Sequence, residues 1–136
     1  MTRKLIFGIL FVIWTVLLIL LSVWPYTDTT VQQDLSEFRW DYLEHFAFYF
    51  ILTFLYILWR SDLNYSIRTA ELIIYLFSGF IFSWLTEYGQ IFIPGRSFNI
   101  IDMLFNIAGI ILGIFICYYI LIRLLIRNYI RSRTTR

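Results

Sequence analysis

The sequence predicts an all-α, polytopic membrane protein with four transmembrane helices and both termini on the cytoplasmic side. Three observations carry this expectation. First, 60% of the 136 residues are hydrophobic, 21% are aromatic and only 15% are charged, with a mean hydropathy of +0.75. A soluble domain has roughly 45–50% apolar and about 25% charged residues. Second, the apolar residues fall into four runs, each long enough to cross a hydrocarbon core of about 30 Å at about 1.5 Å per residue. Third, the basic residues gather on one side of the bilayer that those runs define. The composition excludes a disordered segment, a basic nucleic-acid binder and a water-soluble globule, and residues 1–136 read as a single membrane domain. Cys117, the one cysteine, lies within an apolar run. It supports neither an intramolecular disulfide nor a paired-cysteine metal site.

The first run covers about residues 5–24 and follows Arg3 and Lys4. A basic start before an apolar stretch is also the pattern of a signal peptide. Here the stretch is too long for a typical apolar region and ends in Ser-Val-Trp-Pro-Tyr instead of a small-x-small cleavage site, so it reads as a retained anchor. Pro25 stops the helix, and the following polar segment to Trp40 is acidic, with Asp28, Asp34 and Glu37. The second helix is expected at about 43–59, with Glu44 and His45 at its beginning. A polar linker, 60–70, leads to the third at about 72–93, which Glu87 and Gln90 interrupt. Pro94-Gly95 signals a turn. The fourth helix is expected at about 99–122, followed by a basic tail, 123–136, with Arg123, Arg127, Arg131, Arg133 and Arg136.

Lys and Arg set orientation because they resist transfer across the membrane. With four spans, the N-terminus, the 60–70 linker and the tail share one side. That side carries Arg3, Lys4, Arg60, Arg68 and the five tail arginines, nine of the eleven basic residues. Arg39 and Arg96 are left for the other. Both termini are therefore expected in the cytoplasm, with the 25–40 and 94–99 loops outside. Trp24, Tyr26, Trp40 and Tyr42 fit an outer aromatic belt, and Trp59 and Tyr65 an inner one.

This topology places nearly every intramembrane polar group in the outer half. Glu87 and Asn106 fall about 9–10 Å below the outer surface by helical rise. Gln90 and Asp102 lie about a turn shallower, His45 sits at similar height, and Arg96 lies in the loop above. The spacings put them on narrow stripes: Asp41, His45 and Tyr49 on the second helix, and Ser83, Glu87 and Gln90 on the third. The fourth carries Asp102, Asn106, Gly109 and Gly113, the last two forming a GxxxG that lets another backbone approach closely. A carboxylate facing lipid costs roughly 2.5–3.5 kcal/mol even on a lenient scale. The three stripes should therefore face one another around an outward-open polar pocket, with the first helix, which has no stripe, covering one flank.

These residues resemble a known family. The string Asp41-x-x-x-His45-Phe46-x-x-Tyr49-Phe50, then Glu87-x-x-Gln90, Pro94-Gly95-Arg96-Ser97, Asp102-x-x-x-Asn106 and Gly109-x-x-x-Gly113 is similar to that of the VanZ-like family. Its members are small multi-pass bacterial membrane proteins, named for one linked to low-level resistance to the glycopeptide antibiotic teicoplanin. The resemblance covers about residues 5–122 and departs at Tyr42, where many members have Lys. It implies a place in the bacterial cytoplasmic (inner) membrane and a role in the cell envelope.

The residues allow sharper and plainer roles. His45 suits a general base, with Asp41 one turn earlier to orient the ring; alternatively it pairs with Asp41 or Glu44 at a wet helix entrance. Glu87, costly to ionise at its depth unless Arg96, His45 or a metal balances it, suits a general acid. Its plainer role is interhelical glue through Gln90 or Asn106, worth about 0.6–2 kcal/mol. Arg96 offers a planar fork for phosphate or carboxylate, or a salt bridge to Asp102 or Glu87. Asp102 is either a substrate contact or an N-cap. Gln90, Asn106 and Tyr49 complete the candidate binding set. His45, Glu87 and Asp102 offer His and carboxylate ligands, yet there is no HExxH and no Cys pair, so neither a metal nor a cofactor is expected.

No phosphate-binding loop, dinucleotide fingerprint or GxSxG elbow is present. The basic tail is explained by anionic lipid and not by nucleic acid. The function expected is to bind or process an anionic membrane lipid, a lipid-linked cell-wall precursor or a lipoglycopeptide. The alternative is a structural or accessory subunit whose polar residues only join helices. A proton-coupled carrier is disfavoured because the polar groups leave no inward path.

Overall fold

The structure, a computed structural model, describes residues 2–25, 40–61 and 67–134, with side chains through residue 120 and that of Arg123. Asp28, Asp34, Glu37 and Arg39 of the expected outer loop, Tyr26 and Tyr65 of the belts, and Arg136 lie outside the described residues. The described residues form four α-helices: α1 (Arg3–Ser22), α2 (Asp41–Arg60), α3 (Thr69–Gly89) and α4 (Ile100–Thr134). A short 3₁₀ turn, Gln90–Phe92, continues α3. All four helices are long and apolar enough to span a membrane, and there is no strand among the described residues.

Helix bounds depart from expectation where hydropathy and helix formation part company. α2 begins at Asp41 and α3 at Thr69, because polar first-turn residues such as Asp41, Glu44 and Glu71 favour a helix N-terminus. α4 continues to Thr134, well past the end of its apolar run at 122. No Gly or Pro occurs after Gly113 to stop it. Hydropathy marks where lipid ends, not where a helix ends.

The helices alternate in direction, and an arginine ties each end of the α1 pairings. Arg3 donates from Nη2 to Ser61 Oγ (2.7 Å), Ser61 O (3.2 Å) and Leu58 O (3.3 Å), satisfying carbonyls at the C-terminus of α2. At the opposite end, Arg96 Nη1 donates to Ser22 O (3.2 Å), the last residue of α1. Arg96 is presented by a tight turn in which its amide bonds Ile93 O (3.1 Å) and Gly95 takes φ 81°. Pro94 followed by a positive-φ glycine is the arrangement of a type II turn. Asn99 then caps α4, its Oδ1 accepting from the Ile101 amide (3.0 Å). The N-cap is thus Asn99, and Asp102 lies in the first turn of the helix.

α2 and α4 make the closest pairing, and glycine is the reason. A Cβ at Gly109 would stand 2.3 Å from Phe46 O and 3.0 Å from Phe50 N, and one at Gly113 would meet Thr53 Cβ at 2.9 Å. By contrast, long side chains bridge α2 and α3. Tyr49 and Thr86 hydroxyls meet at 2.7 Å, Thr53 Oγ1 and Tyr75 OH at 3.1 Å, and the Tyr56 and Tyr75 rings stack at 3.9 Å. Tyr56 OH donates to Glu71 Oε1 (3.4 Å), which also pairs with Arg60. The Thr53–Tyr75 and Tyr56–Glu71 contacts occupy the half nearer Arg3, whereas Tyr49–Thr86 lies toward Arg96. The expectation that polar groups lie almost wholly in the other half is therefore revised; Tyr is grouped with the hydrophobic residues in the composition, yet its hydroxyl needs a partner when buried. α1 packs on α2 through Trp14 Nε1 donating to Phe48 O (2.9 Å) and through Phe11 against Trp59 (5.4 Å). The apolar core is small: Leu18, Tyr49, Leu52, Tyr75 and Ile110.

Two alanine substitutions separate close approach from propensity. Gly109→Ala must push α2 off α4, and a loss of about 1–3 kcal/mol is expected from overpacking. Gly89→Ala meets nothing within 4 Å and should be neutral or stabilising by up to about 1 kcal/mol. Equilibrium unfolding in detergent checks both.

Candidate functional site

Three helices bring their polar stripes together at the end of the bundle that holds Arg96. On α3, Ser83, Glu87 and Gln90 fall on a buried face that continues back through Gly79 and Tyr75. On α4, Asp102, Asn106, Gly109 and Gly113 fall on another buried face. Burial is nearly complete: Glu87 and Asn106 are 0% exposed, Gln90 and Asp102 4%. His45, half-buried on α2, lies between them.

Glu87 is the hub. Its Oε1 accepts from Asn106 Nδ2 (3.4 Å) and Gln90 Nε2 (3.3 Å) and lies 3.5 Å from His45 Nδ1. No hydrogen bond reaches the buried Oε2 from any described residue. The His45 ring spans the gap between helices, with Nδ1 3.1 Å from Asn106 Oδ1 and Nε2 3.7 Å from Asp102 Oδ2. Both nitrogens therefore face α4, and Nδ1 also faces Glu87 on α3. Asp41, expected to orient the ring from one turn earlier, sits in the first turn of α2, where its Oδ1 accepts from the Tyr42 amide (3.1 Å).

A cavity of about 90 Å³ opens beside this cluster. Glu44, His45, Phe48 and Tyr49 of α2 line it, with Thr86 and Glu87 of α3, Arg96 of the loop, and Leu18, Leu21 and Ser22 of α1. The first helix thus does more than cover a flank. Ser22 donates from Oγ to Thr86 O (3.1 Å), and its carbonyl receives Arg96. Thr86 Oγ1 donates to Ser83 O (2.9 Å), so Tyr49 OH supplies the proton of the Tyr49–Thr86 bond. Tyr49 is accordingly both a cavity wall and a fixed strut. Ser22 and Thr86 were not legible in the sequence: a lone serine closing an apolar run looks generic, and Thr86 lies about 100° round the helix from Glu87.

The geometry brings together His45, Glu87, Gln90, Asp102 and Asn106 directly, with Tyr49 and Arg96 on the adjoining cavity. Two carboxyl groups, an imidazole and two amides in contact can hold a proton, pass it between helices or ligate a cation. One donor atom each from His45, Glu87 and Asp102 lies within 4.8 Å of the other two.

The sequence model of the VanZ/LLP1 family matches residues 7–123. Neither a curated protein nor a solved structure matches the chain.

Asn106 is the shared partner of His45 and Glu87, so Asn106→Leu should cost about 1–3 kcal/mol by leaving buried polar groups unsatisfied. Tyr49→Phe removes one donated bond and should cost about 0.5–1.5 kcal/mol. Thermal unfolding in detergent of both variants, beside the unsubstituted chain, tests this order.

Proposed function

Because the chain belongs to the VanZ-like family, we propose that it is an envelope protein of the bacterial inner membrane whose Arg96-lined cavity faces outward. There it takes the anionic group of a membrane lipid, a lipid-linked cell-wall precursor or a lipoglycopeptide. The outward orientation is supported by the basic residues, nine of eleven of which belong to segments on the opposite side. The observation that carries the reading is Arg96 itself, held on a type II turn against the end of α1 and forming one wall of the cavity.

Size narrows the ligand. Pockets for whole small molecules run to about 300–1,000 Å³, whereas this one is about 90 Å³. It suits a single anionic group and a few waters, not a sugar or a peptide. Leu18, Leu21 and Phe48 on its wall favour an apolar chain leaving alongside, which an acyl tail provides. The shared feature of the three candidate ligands is a charge at headgroup depth next to such a tail. A guanidinium recognises phosphate or carboxylate through paired N–H donors.

A second reading rests on a different observation: Glu87 Oε1 accepts from Asn106 across the contact of α3 with α4, which is what interhelical glue does. In that reading the cluster only holds α3 to α4.

Lipid retention by the purified chain in nanodiscs separates the two. With phosphatidylglycerol against a zwitterionic lipid, Arg96→Ala should weaken the anionic preference about 10–100-fold, the worth of a charge-assisted hydrogen bond. Arg96→Lys should recover part of it. Unchanged preference in Arg96→Ala, with a lowered unfolding temperature in Glu87→Gln, supports the structural reading instead.

A further inference from the structure

We propose that His45, Glu87 and Asp102 form a divalent-cation site, each supplied by a different helix. Hydrogen-bond logic leads there. Asn106 Nδ2 faces Glu87 Oε1, which fixes the amide so that its oxygen faces His45 Nδ1 at 3.1 Å. A side-chain amide oxygen only accepts, so Nδ1 carries a hydrogen. In the neutral ring the lone pair is then on Nε2, which looks at Asp102 Oδ2 from 3.7 Å.

A ring lone pair and a carboxylate oxygen placed this way can share one positive centre. A second ring proton would draw the pair into a charge-assisted bond of about 2.7–2.9 Å. A metal bound at about 2.0–2.2 Å holds neighbouring ligands about 3–3.6 Å apart, closer to what His45 and Asp102 show. The Nδ1–H donated to a carbonyl oxygen is also the support that a metal-bound imidazole ordinarily has.

Glu87 makes the same demand independently. Its Oε2 is buried and receives no hydrogen bond from any described residue, although Oε1 is crowded with donors. Two buried carboxyl groups, those of Glu87 and Asp102, flank one imidazole. A divalent cation answers both. One donor atom from each residue already lies within 4.8 Å of the others, with Gln90 and Asn106 behind them.

The donor set selects the ion. One imidazole nitrogen with two carboxylates suits Zn²⁺ or Mn²⁺, where an all-oxygen set would suit Ca²⁺ or Mg²⁺ and thiolates a softer metal. The absence of HExxH from the sequence says nothing here, because that motif takes two ligands from one helix and this site takes one from each of three. The inference reverses the expectation of a metal-free cluster, and it stands whether or not a lipid enters the neighbouring cavity.

The test uses the full chain in detergent, stripped with a chelator and titrated with Co²⁺ as a visible probe, then with Mn²⁺ and Zn²⁺ in competition. Stoichiometric uptake is expected, weakened more than about 100-fold in Glu87→Gln and in Asp102→Asn. Asn106→Ala should weaken it about 10–100-fold, as the loss of an outer hydrogen-bond partner does. The unsubstituted chain decides alone if the variants misfold: failure to take up any of the three ions overturns the proposal. Uptake that Glu87→Gln leaves unchanged overturns it as well.

Discussion

Inside a bundle bounded by hydrocarbon, a buried carboxylate depends on the protein for most of its partners. Glu87 lies fully buried on α3, and the architecture around it follows from that placement. Asn106 and Gln90 both turn an amide toward its Oε1, and His45 comes from a third helix to the same atom. The outward-looking residues of the helices, such as Val12, Ile13, Ile74 and Phe115, are apolar and interchangeable by comparison. Specificity of the fold therefore resides in a few polar contacts more than in its small apolar core.

The helix ends obey the same rule. The last carbonyls of a helix have no partner within it, and here two arginines from distant segments supply them. Arg3 reaches Ser61 and Leu58 at the end of α2, and Arg96 reaches Ser22 at the end of α1. Each places a cation where the helix dipole is negative. Arg96 consequently has a structural duty as well as a position on the cavity, and the two are compatible because a guanidinium is a broad fork with several donors.

The stripes were legible in the sequence because burial of charge is expensive and helical periodicity is exact enough over two turns to say which residues share a face. That reasoning placed Asp102, Asn106, Glu87, Gln90 and His45 together, and the GxxxG of Gly109 and Gly113 at a close helix contact. It failed for hydroxyl groups. Thr15 and Thr53 bond the carbonyl four residues back on their own helices, so a threonine in an apolar run announces no partner elsewhere. Thr86, Ser22 and the Tyr75–Thr53 contact were hidden for this reason. The partners of the His45 ring were missed differently: Asp41 is near in sequence, whereas Asp102 and Asn106 are near only after folding.

The glycine contact and the polar cluster are parts of a single device. Asn106 stands one turn before Gly109 on α4, and His45 precedes Phe46, the residue whose carbonyl Gly109 admits. Any widening of the α2–α4 gap at Gly109 therefore moves His45 away from Asn106 and Asp102 almost directly. Interhelical hydrogen bonds in lipid contribute only about 0.6–2 kcal/mol each, too little to draw two helices into register against a steric barrier. Close backbone packing must come first, and the polar contacts then follow at distances the packing dictates. A site of fixed spacing can thus be built from weak interactions, provided the two glycines set the distance at which they act.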